Sequence, residues 1–275
     1  MQKIEVKIKK NQKIREFLLN YGFSKPETNK ILKNKDVKVD GKRLGEDDYL
    51  LSGQIATIFA LEKPQPKFKI LFEDENVVVI DKGQGIESQG EDSVEQLLNG
   101  ARAVHRLDRN TSGVMIFAKN ETAEEELKVA FKEKNVQKEY VCEVFGQTNF
   151  KGEIKEAFLV KDRVRSEVKI YDNFVQGAVK ISAGFTTVKN SGVTSIVKVD
   201  LFTGRTHQIR AHLAYMGYPI IGDGKYGKNE INRKFKEKYQ KLHCFCLKIK
   251  KIGENLKYLE NKAFISKPEW AEKYI

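Results

Sequence analysis

The segment LEKPQPKFK at residues 61–69 holds two of the chain's five prolines and few apolar side chains. Proline disfavours helix at the residue before it and stiffens a spacer. Such a stretch does not fit inside a packed element, so it divides the 275-residue chain into expected domains at residues 1–62 and 63–275. Charge follows the same division. The chain carries 50 Lys and Arg against 38 Asp and Glu, a net charge of +12. Residues 1–43 hold 13 basic and 5 acidic side chains, which is +8 of that total. A positive field concentrated at one end suits a polyanionic partner. Runs such as VVVI at residues 77–80 are far shorter than the ~20 apolar residues of a membrane helix, so no membrane partner is expected. The opening MQKIEVKIKKN alternates apolar with basic residues and lacks the apolar core of a secretory signal. Cys142, Cys244 and Cys246 are odd in number and lack metal-ligand spacing, which argues against a disulfide framework and suits a reduced cytoplasmic compartment.

Within the basic segment, Ile14, Phe17 and Leu18 sit at helical spacing. Ser24 and Glu27 read as a capping box with Pro26 in the first turn, and predict a second helix to about Asn34. Asp40-Gly41 is a favoured two-residue hairpin turn, and Ser52-Gly53 turns the chain into a further strand over 55–59. In the longer segment the readable strands cover residues 77–80, 114–118, 140–145 and 195–201. A helix is predicted from Thr122, capped with Glu125, with Ala123, Leu127, Ala130 and Phe131 as its apolar stripe. Strands outnumber helices, so the expected class is α+β with a mixed or antiparallel sheet. Residues 150–192 give no firm pattern.

Two clusters carry chemistry. HRLDRNTSG, residues 105–113, flanks the Asp108 carboxylate with the guanidinium groups of Arg106 and Arg109. Nearby positive charge favours an ionised carboxylate, available for nucleophilic or electrostatic work; the same run also reads as a structural salt-bridge cluster. TGRTHQIRAHL, residues 203–213, predicts a helix with Thr206 as N-cap, Ile209, Leu213 and Met216 as its buried stripe, and Gly217 as its stop. Arg210 lies about 100° around that helix from Ile209 and can point into a cleft. Arg205, His207 and Gln208 crowd the helix start, where backbone N–H groups favour phosphate. His207 and His212 are five residues apart on different faces with no carboxylate between them, so no metal site is expected.

HRLDRNTSG, KEYVCEV at 138–144, TGRTHQIRAHL and the later Leu242-His243 resemble, in order and separation, the signature segments of the RluA-type pseudouridine synthases. The likeness covers roughly residues 70–275. AYMGYPIIGD and YGKNEINRKF look most like the RluC subgroup, which acts on large-subunit ribosomal RNA. IREFL, the short second helix and KDVKVDGKRL resemble the S4 RNA-binding module, a common companion of this family. The resemblance implies an S4 helix–hairpin domain followed by a mixed-sheet catalytic domain that isomerises uridine in RNA, most like 23S ribosomal RNA or the pre-ribosomal large subunit, without a cofactor. It implies Asp108 as the essential carboxylate, Tyr140 stacked on the uracil with its phenol at the deprotonation step, and Arg210 paired with Asp108. Leu242 and Ile209 would cover the flipped base, Arg106 and Arg205 would contact RNA near the site, and His105 and Thr111 would complete the substrate-binding set. A monomer is the default expectation. The chain departs from the family at Lys82-Gly83-Gln84-Gly85, where Lys-Pro-x-Gly is usual, and loss of the proline should loosen that turn. Residues 176–185 also fit the family pattern poorly.

Three routes are open to Asp108: attack on uracil C6, attack on ribose C1′, or removal of a proton from the sugar. A phosphatase of the aspartyl-phosphate type would need a second Asp where Asn110 stands. The other rivals are a non-catalytic S4-type RNA-binding or ribosome-assembly factor, and a pseudouridine synthase acting on tRNA. Intact Asp108, Tyr140 and Arg210 weigh against the non-catalytic reading.

Overall fold

The computed structural model describes residues 2–23, 25–45, 48–60, 67–91, 93–98, 100–162 and 166–275. It forms two compact units, Met1–Lys67 and Phe68–Ile275. Ser24, read as a helix cap, and residues 61–66 of the proline-bearing segment lie outside the described residues. Among the described residues no helix is long and apolar enough to cross a membrane.

The first unit contains β1 (Gln2–Lys7), β2 (Gln12–Lys13), α1 (Ile14–Tyr21), α2 (Lys25–Lys33), β3 (Val37–Val39), β4 (Lys42–Leu44), β5 (Tyr49–Leu50) and β6 (Ile55–Ala60). β1, β6, β3 and β4 pair in that order as an antiparallel sheet, and β2 pairs with β5. Asp40 and Gly41, at φ 52° and 79°, make the turn between β3 and β4, as a two-residue hairpin requires. Ile14, Phe17 and Leu18 of α1 join Ile31, Leu32, Val37 and Ile58 in a core belonging to this unit.

The second unit begins with β7 (Phe68–Glu73), β8 (Val77–Lys82), α3 (Val94–Leu97), β9 (Arg102–Ala103), β10 (Ser112–Ala118), α4 (Glu121–Lys132) and β11 (Val136–Phe145). It continues with β12 (Lys151–Asp162), β13 (Glu167–Tyr171), β14 (Val179–Ser191), β15 (Thr194–Leu201), α5 (Gln208–Tyr215), α6 (Asn229–Phe235), β16 (Leu242–Ile249) and β17 (Ala263–Ile265). One eleven-stranded sheet runs β13-β12-β14-β15-β11-β16-β10-β8-β7, with β17 on β16 and β9 on β10. β10 and β16 pair in parallel, while the other neighbours are antiparallel. The fold is α+β with a mixed sheet.

The central strands read as continuous apolar runs because both of their faces are covered. In β8 and β10, Val78, Ile80, Met115 and Phe117 enter one core together with Tyr140, Leu213 and Leu242. The alternate residues Val77, Val79, Val114 and Ile116 enter a second core with Leu127 of α4. α4 starts earlier than its sequence suggests. Its N-cap is Asn120, whose side chain accepts the Ala123 N–H at 2.9 Å, and Thr122 lies inside the helix. The described residues between 150 and 192 form the long strands β12 and β14, with β13 at the sheet edge.

Gly113 fixes how the loop before β10 enters the sheet. Its φ is +117°, and a Cβ there would lie 2.2 Å from the backbone oxygen of Cys244 on β16. Gly113→Ala combines a disfavoured backbone with overpacking, each worth about 1–3 kcal/mol. Urea unfolding of the variant should show a loss of about 3 kcal/mol; an unchanged midpoint would contradict the close approach of β10 and β16.

Candidate active site

The loop between β9 and β10 carries Asp108, and its course is fixed by buried polar contacts. Ser88 Oγ donates to the Leu107 carbonyl at 2.8 Å and accepts the Leu107 N–H at 3.0 Å, while Leu107 itself is buried. Thr111 N–H donates to the Asp108 carbonyl at 2.9 Å. The Lys82 ammonium, fully buried, donates to the carbonyls of Gly83, Ile86 and Arg109 at 2.9, 2.9 and 3.1 Å. Gly85 N–H also donates to the Arg109 carbonyl, and Gln84 reaches the Gln240 carbonyl. The turn that lacks the family's proline is thus tied to its neighbours by these hydrogen bonds. Burial lowers the Lys82 pKa to about 8, against the opposing pull of Glu87 and Asp108.

α5 brings the arginine. The helix starts at Gln208, with His207 rather than Thr206 at the N-cap, in the left-handed region at φ 53° and without a side-chain cap. Gln208 Oε1 instead accepts from the Thr203 hydroxyl and the Arg205 N–H. Gln208 through Leu213 are all buried, so the burial extends well beyond the stripe of Ile209 and Leu213. Arg210 lies between two carboxylates. Its Nε and Nη2 donate to Asp223 Oδ2 and Oδ1 at 2.7 and 2.9 Å, and its Nη1 donates to Asp108 Oδ2 at 2.8 Å. Burial opposes the Arg210 charge, but the bonds to Asp223 and then the charge of Asp108 outweigh it and raise its pKa. Asp223 is buried, which alone would raise its pKa; Arg210 and the N–H groups of Tyr226 and Lys225 hold it below the usual carboxylate range. The Asp108 side chain keeps 20% exposure, whereas that of Asp223 keeps 1%. A single guanidinium thus joins one buried anion to one reachable anion.

Both β11 and β16 face this pair. Their register shifts by one residue at Glu139/Tyr140, where Phe245 is extra on β16, and bulges of this kind re-aim side chains. Tyr140 is buried, and burial with the neighbouring Cys244 thiol and Asp108 raises its phenol well above the ordinary value. Burial likewise pushes the Cys244 thiol up to about 12.

A cavity of about 460 Å³ collects Asp108, Tyr140, Arg210, Ile209 and Leu242 together with His105, Arg106, Thr111 and Arg205. Arg106 and Arg205 are exposed there. His105 is occupied: its Nε2 accepts the Ile116 N–H at 3.1 Å and its ring stacks on Phe131 at 4.5 Å. Burial, with Lys138 nearby, lowers its pKa to about 3. Thr111 is buried and its Oγ1 accepts from Gln240 at 2.8 Å, so it props the loop from beneath. Lys128, Phe131, Lys132 and Lys138 also line the cavity. His212, by contrast, is buried with its ring edge-on to Phe185.

Residues 76–215 match the family described as RNA pseudouridylate synthase. Ribosomal large subunit pseudouridine synthase C of Pasteurella multocida (strain Pm70) is 33% identical over 259 residues, covering 88% of this chain and 77% of that protein. The chain belongs to the RNA pseudouridylate synthase family. The protein of the same name from Escherichia coli (strain K12) is 30% identical, covering 78% of this chain and 76% of its own length. The structure of human RNA Pseudouridylate Synthase Domain Containing 1 shares the fold with a TM-score of 0.64 at 21% identity, covering 78% of this chain and 89% of that one. The protein is accordingly an RNA pseudouridine synthase, an isomerase of uridine in RNA.

In this pseudouridine synthase, sequence reasoning overlooked Asp223 and Tyr226. Both follow the turn at Gly222, where Gly-Asp reads only as a turn signal, and nothing in their spacing ties them to Arg210. Asp223→Asn would leave the buried guanidinium with half of its charge partners, a loss of about 3–5 kcal/mol. The sign with pH follows from the depressed Asp223 pKa. Its contribution is complete above the unfolded value of about 3.9 and fades as pH falls toward the lower folded value. Denaturant unfolding from pH 7 to pH 3 should therefore show a deficit in Asp223→Asn that narrows with acid; a deficit independent of pH would contradict the ion pair.

Proposed function

We propose that this enzyme converts specific uridines of large-subunit ribosomal RNA to pseudouridine, with Asp108 acting on a nucleotide turned out of its stack. The observation that carries this is the Arg210–Asp108 pair, 2.8 Å apart, in a cleft walled by Tyr140, Ile209 and Leu242. Isomerisation breaks the C1′–N1 bond, turns the uracil and rejoins it through C5, so the freed base must be held beside the carboxylate. Apolar walls serve that need. Extruding a base costs a few kcal/mol, and stacking on Tyr140 at about 1–3 kcal/mol per base offsets part of it. The Tyr140 hydroxyl also enters the cleft and is assigned to the deprotonation at C5, its oxygen accepting that proton as its own passes on to solvent. Arg210 orients Asp108 through their hydrogen bond. Oδ2 of that carboxylate accepts from Arg210, and among the described residues no hydrogen bond engages Oδ1, which is left for the reacting atom of the substrate.

Arg106 and Arg205 stand exposed at the cavity for phosphate contacts. The first unit serves as an S4-type RNA-binding module: two short helices, a hairpin, and most of the chain's positive charge support it. The ribosomal substrate is supported by the names of the relatives at about 30% identity, and it would place the enzyme in the cytoplasm.

Mapping of pseudouridines in rRNA from cells with and without the gene should reveal a missing site, and a complete rRNA map unchanged in the knockout would overturn the ribosomal substrate. Purified Asp108→Asn should lose turnover at that site by at least 10³-fold, on the order expected for an essential group, with RNA affinity within a few-fold of the parent. Normal pseudouridine yield from the variant would remove Asp108 from its role. Tyr140→Phe keeps the stack and should lose turnover more than binding. Deleting residues 1–62 should weaken rRNA binding and flatten its dependence on salt, while full retained affinity would show that this unit is not the anchor.

A further inference from the structure

His207 holds a left-handed backbone, φ 53°, beside the reacting carboxylate. A non-glycine residue persists there when its surroundings hold it. The holding contact is a 2.9 Å hydrogen bond between His207 Nδ1 and Tyr226 Oη. Tyr226 Oη also accepts the Val168 N–H of β13 at 2.9 Å. Among the described residues Nδ1 is the acceptor within reach of the phenolic proton, so Tyr226 O–H donates to Nδ1. In a neutral imidazole the proton then resides on Nε2. Charge favours the same tautomer independently, because Nε2 lies 3.9 Å from Asp108 Oδ2 and an anion favours an N–H over a lone pair on that side. Burial keeps the ring neutral, with Arg210 and Lys225 acting in the same direction against the pull of Asp108 and Asp223.

A gap of 3.9 Å is too long for a direct hydrogen bond, but one atom to the side of the pair can lie within about 2.8 Å of both. That atom must accept from Nε2–H and donate to the carboxylate. Uracil offers no such atom, since O2 and O4 only accept and N3–H only donates. Phosphate oxygens only accept. Within an RNA strand the 3′ and 5′ oxygens are esterified, and the 2′-hydroxyl is the sugar group that can do both.

Resting on the reading of Asp108 as the reacting carboxylate, we propose that His207 and Asp108 clamp the ribose 2′-hydroxyl of the target nucleotide between them. His207 is then a specificity determinant that selects ribose over deoxyribose at the reacting position, and Tyr226 is the positioning residue that sets its tautomer. The clamp fixes the sugar against Asp108 while the base remains free to turn.

The test uses the full-length enzyme and a large-subunit rRNA fragment carrying the mapped uridine, synthesised with either uridine or 2′-deoxyuridine at that one position. Single-turnover rates of the parent enzyme should favour the ribose substrate by about 100-fold, as expected when the hydroxyl is missing and its buried partners are left unpaired. His207→Asn suits the left-handed backbone but is too short to place a donor at Nε2, and should reduce the preference to within a few-fold of one. His207→Gln, whose amide nitrogen reaches the Nε2 position, should restore most of it. Equal parent rates on the two substrates would overturn the clamp without recourse to any variant, as would an undiminished preference in His207→Asn. A parent enzyme inactive on the ribose substrate would instead count against the ribosomal reading.

Discussion

The second unit is organised around one guanidinium. Arg210 is buried on α5, and its charge is tolerable only because Asp223 takes two of its N–H groups and Asp108 a third. Asp223 is the structural half of this arrangement, held by backbone N–H groups of its own turn. Asp108 is the reachable half, delivered by a loop that lies far away in sequence. Removing either anion changes what the arginine can do for the other, so the stability of the fold and the placement of the site are the same electrostatic problem. The buried Lys82 ammonium acts on the other side of that loop, where it donates to the carbonyls of Gly83, Ile86 and Arg109.

Much of this was legible in the residues themselves. The apolar runs at 77–80 and 114–118 announced covered strands, and Asp40-Gly41 announced its hairpin, because local sterics and burial on both faces leave few alternatives. The contact of Arg210 with Asp108 could not be read from spacing, since 102 residues separate them; only the likeness of the two motifs to one family brought them together. α5 misleads a periodic reading because it is buried on nearly all sides, and polar Gln208, Arg210 and His212 sit inside beside Ile209 and Leu213. The start of α4 lies two residues before the position that its sequence suggests, because Asn120 and Thr122 are both competent caps and it is Asn120 whose side chain accepts the Ala123 N–H.

Other features left no signal. β12 begins with four exposed residues and carries charges on both faces, so it lacks the alternation that marks a half-buried strand. The bulge at Glu139/Tyr140 is equally silent, since one extra residue on β16 alters pairing without altering composition. Asp223 and Tyr226 follow a glycine turn and acquire their meaning only from what α5 places next to them.

Cys142, Cys244 and Cys246 are all buried in the second unit, and burial raises each thiol above its ordinary pKa. Thiolate is the species that reacts with oxidants and alkylating agents, so in the folded enzyme all three sulfurs are chemically quiet. Cys244 pairs with Tyr140 across β11 and β16 and shares its core. Its alkylation by iodoacetamide would therefore report the opening of the core beneath the substrate, giving the molecule a built-in clock for that motion without any introduced label.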